Sequence, residues 1–278
     1  LSVILTLRPL PERQPEGAPE REAPFWWGRA AQAMFLTALG RDDPALAARL
    51  HDEDGPHPYT VSSLSGRFPK RKIAPDEAYT LRLTAFEAGL AGTLRRLAQP
   101  GGALAPGAQV ELDRQPWQVV SAAWEAGAHP WAGASDYAAL AAAQLARAEP
   151  PERRLALQFA SPTTFRSQGR DLPLPLPELV FGSLLERWNA YSPVAFPAET
   201  RRYAAECLAV TRYELKTHSL PVKEGAQRVG MVGQASFVTF NYDRYWMSVL
   251  RALAVFSLYS GVGAGTGYGL GQSRLLAD

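Results

Sequence analysis

The chain is short of cysteine, histidine and long apolar runs, and each shortage removes a class of function. Among 278 residues there is one cysteine, Cys207. A single thiol excludes an intrachain disulfide and any cysteine-rich zinc site. The four histidines, His51, His57, His129 and His218, are too scattered for a zinc spacing. No apolar run reaches the ~18 residues that a membrane helix needs. The run from Leu1 to Leu7 is too short for a signal peptide and has no basic region before it. A cytoplasmic protein is expected. A first residue of Leu1 rather than Met leaves room for a larger fusion.

Two phosphate motifs are missing as well. The dinucleotide fingerprint places glycines at i, i+2 and i+5, and the P-loop places them at i and i+5. The chain has instead an alternating stretch, Tyr259-Ser260-Gly261-Val262-Gly263-Ala264-Gly265-Thr266-Gly267-Tyr268-Gly269-Leu270-Gly271. All its glycines carry odd numbers, so no pair is five apart. No Lys-Ser or Lys-Thr follows, and too little chain remains for a helix. Glycine loses more conformational freedom on folding than any other residue, so this density needs a reason. The expected reason is close approach of backbone to a ligand, with amides turned outward as an anion nest. Close backbone packing alone is the other reading.

A hydrophobic fraction of 46% is enough for a real core, and the net charge is +2. Residues 1–150 hold 15 Lys/Arg against 17 Asp/Glu, and residues 151–278 hold 14 against 10. The second half is therefore the expected home of a polyanion. Arginine far outnumbers lysine, which suits bidentate phosphate contacts.

In chain order, Leu1–Leu7 has strand composition, and residues 9–24 read as a Pro/Glu-rich loop. Trp26–Leu39 has helical spacing. Asp43-Pro44 opens a short helix over Ala45–Leu50, with His51 at its C-terminal end. Tyr59–Ser63 and Tyr79–Ala85 read as strands, separated by the basic loop Arg67-Phe-Pro-Lys70-Arg71-Lys72. Glu87–Leu97 reads as a helix, and Val110–Leu112 and Trp117–Trp124 as strands. That order, βαββαβ, is the signature of a ferredoxin-like domain. An Ala-rich helix over Ser135–Arg147 precedes a linker, Glu149–Arg153.

The second half repeats the plan: strand Arg154–Phe159, helix Glu178–Tyr191, strands Cys207–Leu215 and Gly230–Thr239, helix 244–258, and a last strand Gln272–Leu276. The expected fold is α+β, two tandem ferredoxin-like domains over 1–148 and 154–278.

Several segments resemble one family. Leu46-Ala-Ala-Arg-Leu-His51-Asp-Glu-Asp-Gly55-Pro56, then Pro58-Tyr59-Thr60, resembles the catalytic segment of the CRISPR repeat-processing endoribonucleases. The Gly261-x-Gly263…Gly269-x-Gly271 spacing resembles the glycine-rich signature of the same repeat-associated (RAMP) superfamily. Phe159-Ala-Ser161-Pro162-Thr163-Thr164-Phe165-Arg166 and Leu184-Leu-Glu-Arg-Trp188-Asn189 are similar to its second domain. The resemblance implies cleavage of a CRISPR repeat, as a stem-loop, with no metal or other cofactor. The ribose 2′-hydroxyl attacks, leaving a 2′,3′-cyclic phosphate and a 5′-hydroxyl. It implies His51 as general acid or base, a role suited to a side chain that titrates near ~6.5.

It also implies that His57 stabilises phosphate charge, at a position where some relatives carry lysine. Relatives often have a tyrosine fifteen residues before the catalytic histidine, where this chain has Leu36. They often have a basic residue in the glycine loop, where this chain has Gly265 or Thr266. These departures predict slow chemistry with positioning supplying much of the rate, or binding without cleavage. RNA contacts are expected from Gly261, Gly263, Gly265, Gly267, Gly269 and Gly271, and from Arg166, Arg170, Lys216, Lys70 and Arg71. The expected partners are repeat RNA and a CRISPR effector complex, with homodimerisation open. The alternatives are a non-catalytic RNA-binding effector subunit or an unrelated RRM protein; the latter lacks its aromatic sheet motif.

Overall fold

The computed structural model describes residues 1–11, 22–52, 55–221 and 227–277. Most of the expected Pro/Glu-rich loop, residues 12–21, lies outside them. The chain divides into two compact units, Leu1–Ala134 with Gly267–Gly269, and Ser135–Thr266 with Leu270–Asp278.

The first unit runs β1 (Ser2–Pro9), α1 (Gly28–Asp42), α2 (Pro44–Asp52), β2 (Tyr59–Val61), β3 (Tyr79–Ala85), α3 (Ala88–Ala98), β4 (Gln109–Leu112) and β5 (Gln115–Ala123). Its antiparallel sheet has the order β2-β3-β1-β5-β4. Central β1 alternates: Val3, Leu5 and Leu7 are fully buried. Leu5 lies opposite Leu81 of β3 and Ala122 of β5. Helix α1 presents Ala31, Met34, Phe35, Ala38 and Leu39 to this face, three or four residues apart as a helical stripe requires. Leu90, Leu94 and Leu97 of α3 complete the core. A two-residue turn joins β4 to β5, with Asp113 at φ 51° and Arg114 at φ 67°, the left-handed pair of a type I′ hairpin.

The second unit runs α4 (Tyr137–Leu145), β6 (Arg154–Thr163), β7 (Phe165–Ser167), β8 (Arg170–Leu172), α5 (Pro177–Tyr191), α6 (Glu199–Cys207), β9 (Leu208–Pro221), β10 (Gln227–Thr239), α7 (Arg244–Ser260) and β11 (Ser273–Leu275). Its main sheet has the order β11-β6-β10-β9. In both sheets the first strand of the unit lies between the third and the last strands of a βαββαβ plan, so both are ferredoxin-like. Leu155, Leu157 and Phe159 of β6 and Phe237 of β10 are buried with Val180, Phe181, Leu184 and Trp188 of α5. Trp188 centres an aromatic cluster. It stacks on Phe196 at 4.6 Å and meets Tyr137 and Phe256 edge-on at 4.9 and 5.2 Å. Its indole N–H donates to the Val194 carbonyl at 2.7 Å, so the ring is buried with no donor stranded.

Three expectations are corrected. Cys207 ends helix α6 rather than starting a strand. Thr200, Tyr203, Ala204 and Cys207 form its buried stripe, which the charged Glu-Thr-Arg-Arg opening hides in the sequence. Arg166 and Arg170 flank the turn of the β7–β8 hairpin, made by Gln168 at φ 50° and Gly169 at φ 73°. The Ala-rich helix α4 packs on α7, so it belongs to the second unit. Glu149–Arg153 accordingly lies inside that unit instead of joining two domains. Among the described residues no helix is long and apolar enough to cross a membrane.

Candidate functional site

His51 is placed by the short helix beneath it. Asp43 caps α2, its carboxylate accepting the Leu46 amide at 2.9 Å. Pro44 follows at the first helical position, where its missing N–H costs nothing. Leu50 is fully buried and anchors the last turn. Arg49 grips both Glu87 oxygens, at 2.9 and 3.2 Å, and so ties α2 to the start of α3. His51 is then the next residue, exposed, in the last turn of the helix. Leu36 is half-buried on α1.

His57 has a different setting. Its ring stacks on Tyr59, with centroids 5.2 Å apart and planes 24° apart. The Tyr59 hydroxyl accepts from the Gln32 amide at 3.0 Å. Burial pushes the Tyr59 phenol up, an effect the Gln32 bond partly offsets. A side chain on Gly267 would come within 3.0 Å of His57 Cδ2, so glycine there lets the chain lie over the imidazole. The neighbouring Tyr268 carbonyl accepts from the Trp26 indole at 3.1 Å, and Arg29 stands over the Tyr268 ring at 5.2 Å.

The glycine stretch is mostly buried. Gly261, Gly263, Gly265, Gly269 and Gly271 all have φ between 60° and 105°. At Gly263 a Cβ would sit 2.3 Å from the Thr164 carbonyl oxygen. The expected outward row of amides is corrected for most of its length. Gly261 donates to Ser257, Val262 to Gly271, Ala264 to Thr164, Leu270 to Gly265 and Gly271 to Pro162, over 2.8–3.2 Å. The Gly263 amide donates to Ser183 Oγ at 2.9 Å. The glycines here serve backbone packing. Among the described residues no protein acceptor takes the amides of Gly265 and Thr266.

Behind this loop stands Arg187 of α5, which lies in the Leu184–Asn189 segment but had no role assigned to it from sequence. Its guanidinium donates to the Gly263 carbonyl and to both oxygens of Ser183. Arg187 is buried, and burial pushes its pKa down to about 10. It is still charged at neutral pH. The available signal was Arg187 falling on the same stripe of the helix as the apolar Val180, Phe181, Leu184 and Trp188, four residues after Ser183.

The other expected residues are scattered. Lys70 and Arg71 are exposed in a single turn with φ 51° and 59°, and Arg71 pairs with Glu22 at 3.2 Å. Arg166 reaches Asp171 at 3.2 Å across its hairpin, and Arg228 reaches the other Asp171 oxygen at 2.9 Å. Arg170 and Lys216 are exposed. His129 accepts the Trp131 amide at 3.1 Å and shapes a turn, while His218 is exposed on β9. A cleft of about 250 Å³ on the second sheet is lined by Arg154, Arg212 and Tyr213 among others. Its residues come together only through strand register. Among the described residues no group of three or more His, Cys, Asp or Glu could hold a metal.

Residues 157–273 match the family model of the CRISPR-associated endoribonuclease Cas6. A Cas6 (TTHA0078) product complex is 30% identical, with a TM-score of 0.75 over 99% of this chain and 98% of that one. The chain belongs to the Cas6 family. A second Cas6 (TTHB231) product complex is 27% identical, with a TM-score of 0.77 over 99% of both chains; that Cas6 is from Thermus thermophilus. The first Cas6 has also been solved with a histidine changed to alanine. A Cas6 of Mycobacterium tuberculosis (strain CDC 1551 / Oshkosh) is 31% identical over 134 residues, 48% of this chain and 42% of that protein. The matched stretch thus spans less than half of that curated Cas6. A RAMP protein binding different RNA substrates is 16% identical with a TM-score of 0.56, a likeness of fold alone.

Proposed function

We propose that this Cas6 family member is a metal-independent endoribonuclease that binds the repeat of precursor CRISPR RNA and cuts it once. The observation that carries the reading is the end-to-end likeness to a Cas6 solved as a product complex. His51 is the residue to which the chemistry is assigned: it is exposed, at the end of a capped and anchored helix. The substrate 2′-hydroxyl gives up its proton and its oxygen bonds to phosphorus. The bond from phosphorus to the 5′-oxygen breaks, and that oxygen takes a proton. His51 serves one of these transfers, and a cyclic phosphate and a 5′-hydroxyl remain. His57 stands near the chain over Gly267 and assists the phosphate through its ring N–H. The amides of Gly265 and Thr266, with Arg166, Arg170, Lys216, Lys70 and Arg71, are assigned to RNA backbone. Repeat RNA is read mainly by shape and phosphate. The reading implies a cytoplasmic enzyme whose product passes to an effector complex; sedimentation of the free and RNA-bound protein decides between monomer and homodimer.

The test uses end-labelled repeat RNA in EDTA with the wild type and His51→Ala. The expected result is one cut with a cyclic-phosphate end for the wild type. His51→Ala loses the cut while RNA affinity stays within about twofold, since a general acid or base contributes mainly to the chemical step. Activity that needs a divalent ion would overturn the mechanism. Tight binding without cleavage by the wild type would leave an RNA-binding subunit.

A further inference from the structure

We infer that Arg187 is a positioning residue for the RNA phosphate, acting through the glycine loop from its buried side. The inference rests on the RNA-binding reading above. Three observations on the second unit carry it. First, Ser183 and Arg187, one turn apart on α5, hold both polar groups of Gly263. The Ser183 hydroxyl takes its N–H at 2.9 Å and the Arg187 guanidinium donates to its carbonyl. With both groups fixed, the peptide planes on either side of Gly263 cannot flip. The residues that follow, Ala264 and Gly265, are half-buried, and the Gly265 amide has no protein acceptor among the described residues.

Second, Arg187 is buried without an ion pair. No carboxylate lies within salt-bridge distance of it among the described residues, and its partners are a hydroxyl and two carbonyls. Placing a whole charge there is costly, and an apolar side chain of similar volume is often as stable or more so in such a position. The charge therefore needs a reason beyond stability. Third, the loop has no cationic side chain of its own: Val262, Ala264, Thr266, Tyr268 and Leu270 separate its glycines. A guanidinium directly behind the loop supplies positive potential from a medium where it is weakly screened. Arg187 thus gives the loop a fixed charge from below and sets the direction of the Gly265 amide above.

The test compares wild type, Arg187→Met, Arg187→Lys and Ser183→Ala for melting temperature, repeat-RNA Kd, and single-turnover cleavage rate at saturating RNA. Arg187→Met keeps volume and removes charge. It is expected to melt within a few degrees of wild type yet bind RNA about tenfold more weakly, the scale of one hydrogen bond to a charged group. Arg187→Lys restores charge without the planar fork and is expected to recover part of the affinity. A methionine variant with wild-type Kd and rate would overturn the inference, as would a methionine variant that binds as well as the lysine one. If Arg187→Met does not fold, Ser183→Ala decides: it frees the Gly263 amide and leaves the charge, so a several-fold loss of affinity supports the inference and a wild-type Kd overturns it. A wild type that binds no repeat RNA would instead overturn the functional reading beneath it.

Discussion

At the scale of single residues, the glycines of the C-terminal stretch are not equivalent. Gly263 combines a φ of 77° with a carbonyl oxygen 2.3 Å from where a Cβ would stand. Gly101 has a φ of 89° and nothing within 4 Å of that position. Gly101→Ala is expected to lose about 1–2 kcal/mol, the cost of a left-handed alanine. Gly263→Ala is expected to lose about 3 kcal/mol or more, because strain and a backbone clash add. Urea unfolding of the two variants measures the difference, and equal losses would mean that the loop relaxes around the added methyl. His51 is the opposite kind of residue. It is exposed, so His51→Ala removes little packing, and under the proposed role it is expected to lose cleavage with stability unchanged.

At the scale of elements, α2 and the two short hairpins show how local chemistry sets position. Asp43, Pro44 and Leu50 together fix where α2 begins, how it starts and which face it buries, and His51 follows from them. The β4–β5 turn is less well matched. Arg114 is exposed and holds φ 67°, a conformation that glycine adopts freely. Arg114→Gly is expected to stabilise the protein by about 0.5–1 kcal/mol, since the left-handed penalty exceeds the extra chain entropy of glycine. A rise in the urea midpoint with unchanged slope would bear this out; a fall would mean that the arginine side chain stabilises the hairpin. In the β7–β8 hairpin, Asp171 holds both Arg166 and Arg228. One carboxylate thus holds an arginine of the hairpin beside one of β10, leaving a local excess of positive charge there.

At the scale of the whole molecule, a net charge of +2 is small for the RNA binding proposed above. On that reading the working charge is local, in Arg166 and Arg170 on one hairpin, Lys216 on β9, Lys70 and Arg71 in one turn of the first unit, and Arg187 inside the second. About four phosphate contacts from such residues give a slope near −3 for log affinity against log salt on single-stranded RNA. Filter binding between 50 and 400 mM salt, on the order of the range where such slopes are read, tests this. A slope near zero would place recognition in base contacts instead.

Much of this molecule could be read from its residues before any coordinates. The boundaries of β3 agree to the residue, because alternation of Tyr79, Leu81 and Leu83 is a local signal. So is the capped start of α2, which carries His51. The motif spacing around His51 and along Gly261–Gly271 pointed to the family to which the chain belongs. What local pattern could not decide was anything that depends on distant partners. Whether the glycine amides face a ligand or the protein depended on Pro162, Thr164 and Ser183, some eighty to a hundred residues away. Whether Arg187 is a surface charge or a buried one depended on where Gly263 returns to α5. Helix α4 was attached to the wrong neighbour because only packing on α7 assigns it. Periodicity and capping act over one or two turns of chain, whereas hydrogen-bond acceptors and burial are supplied by whatever the fold brings alongside.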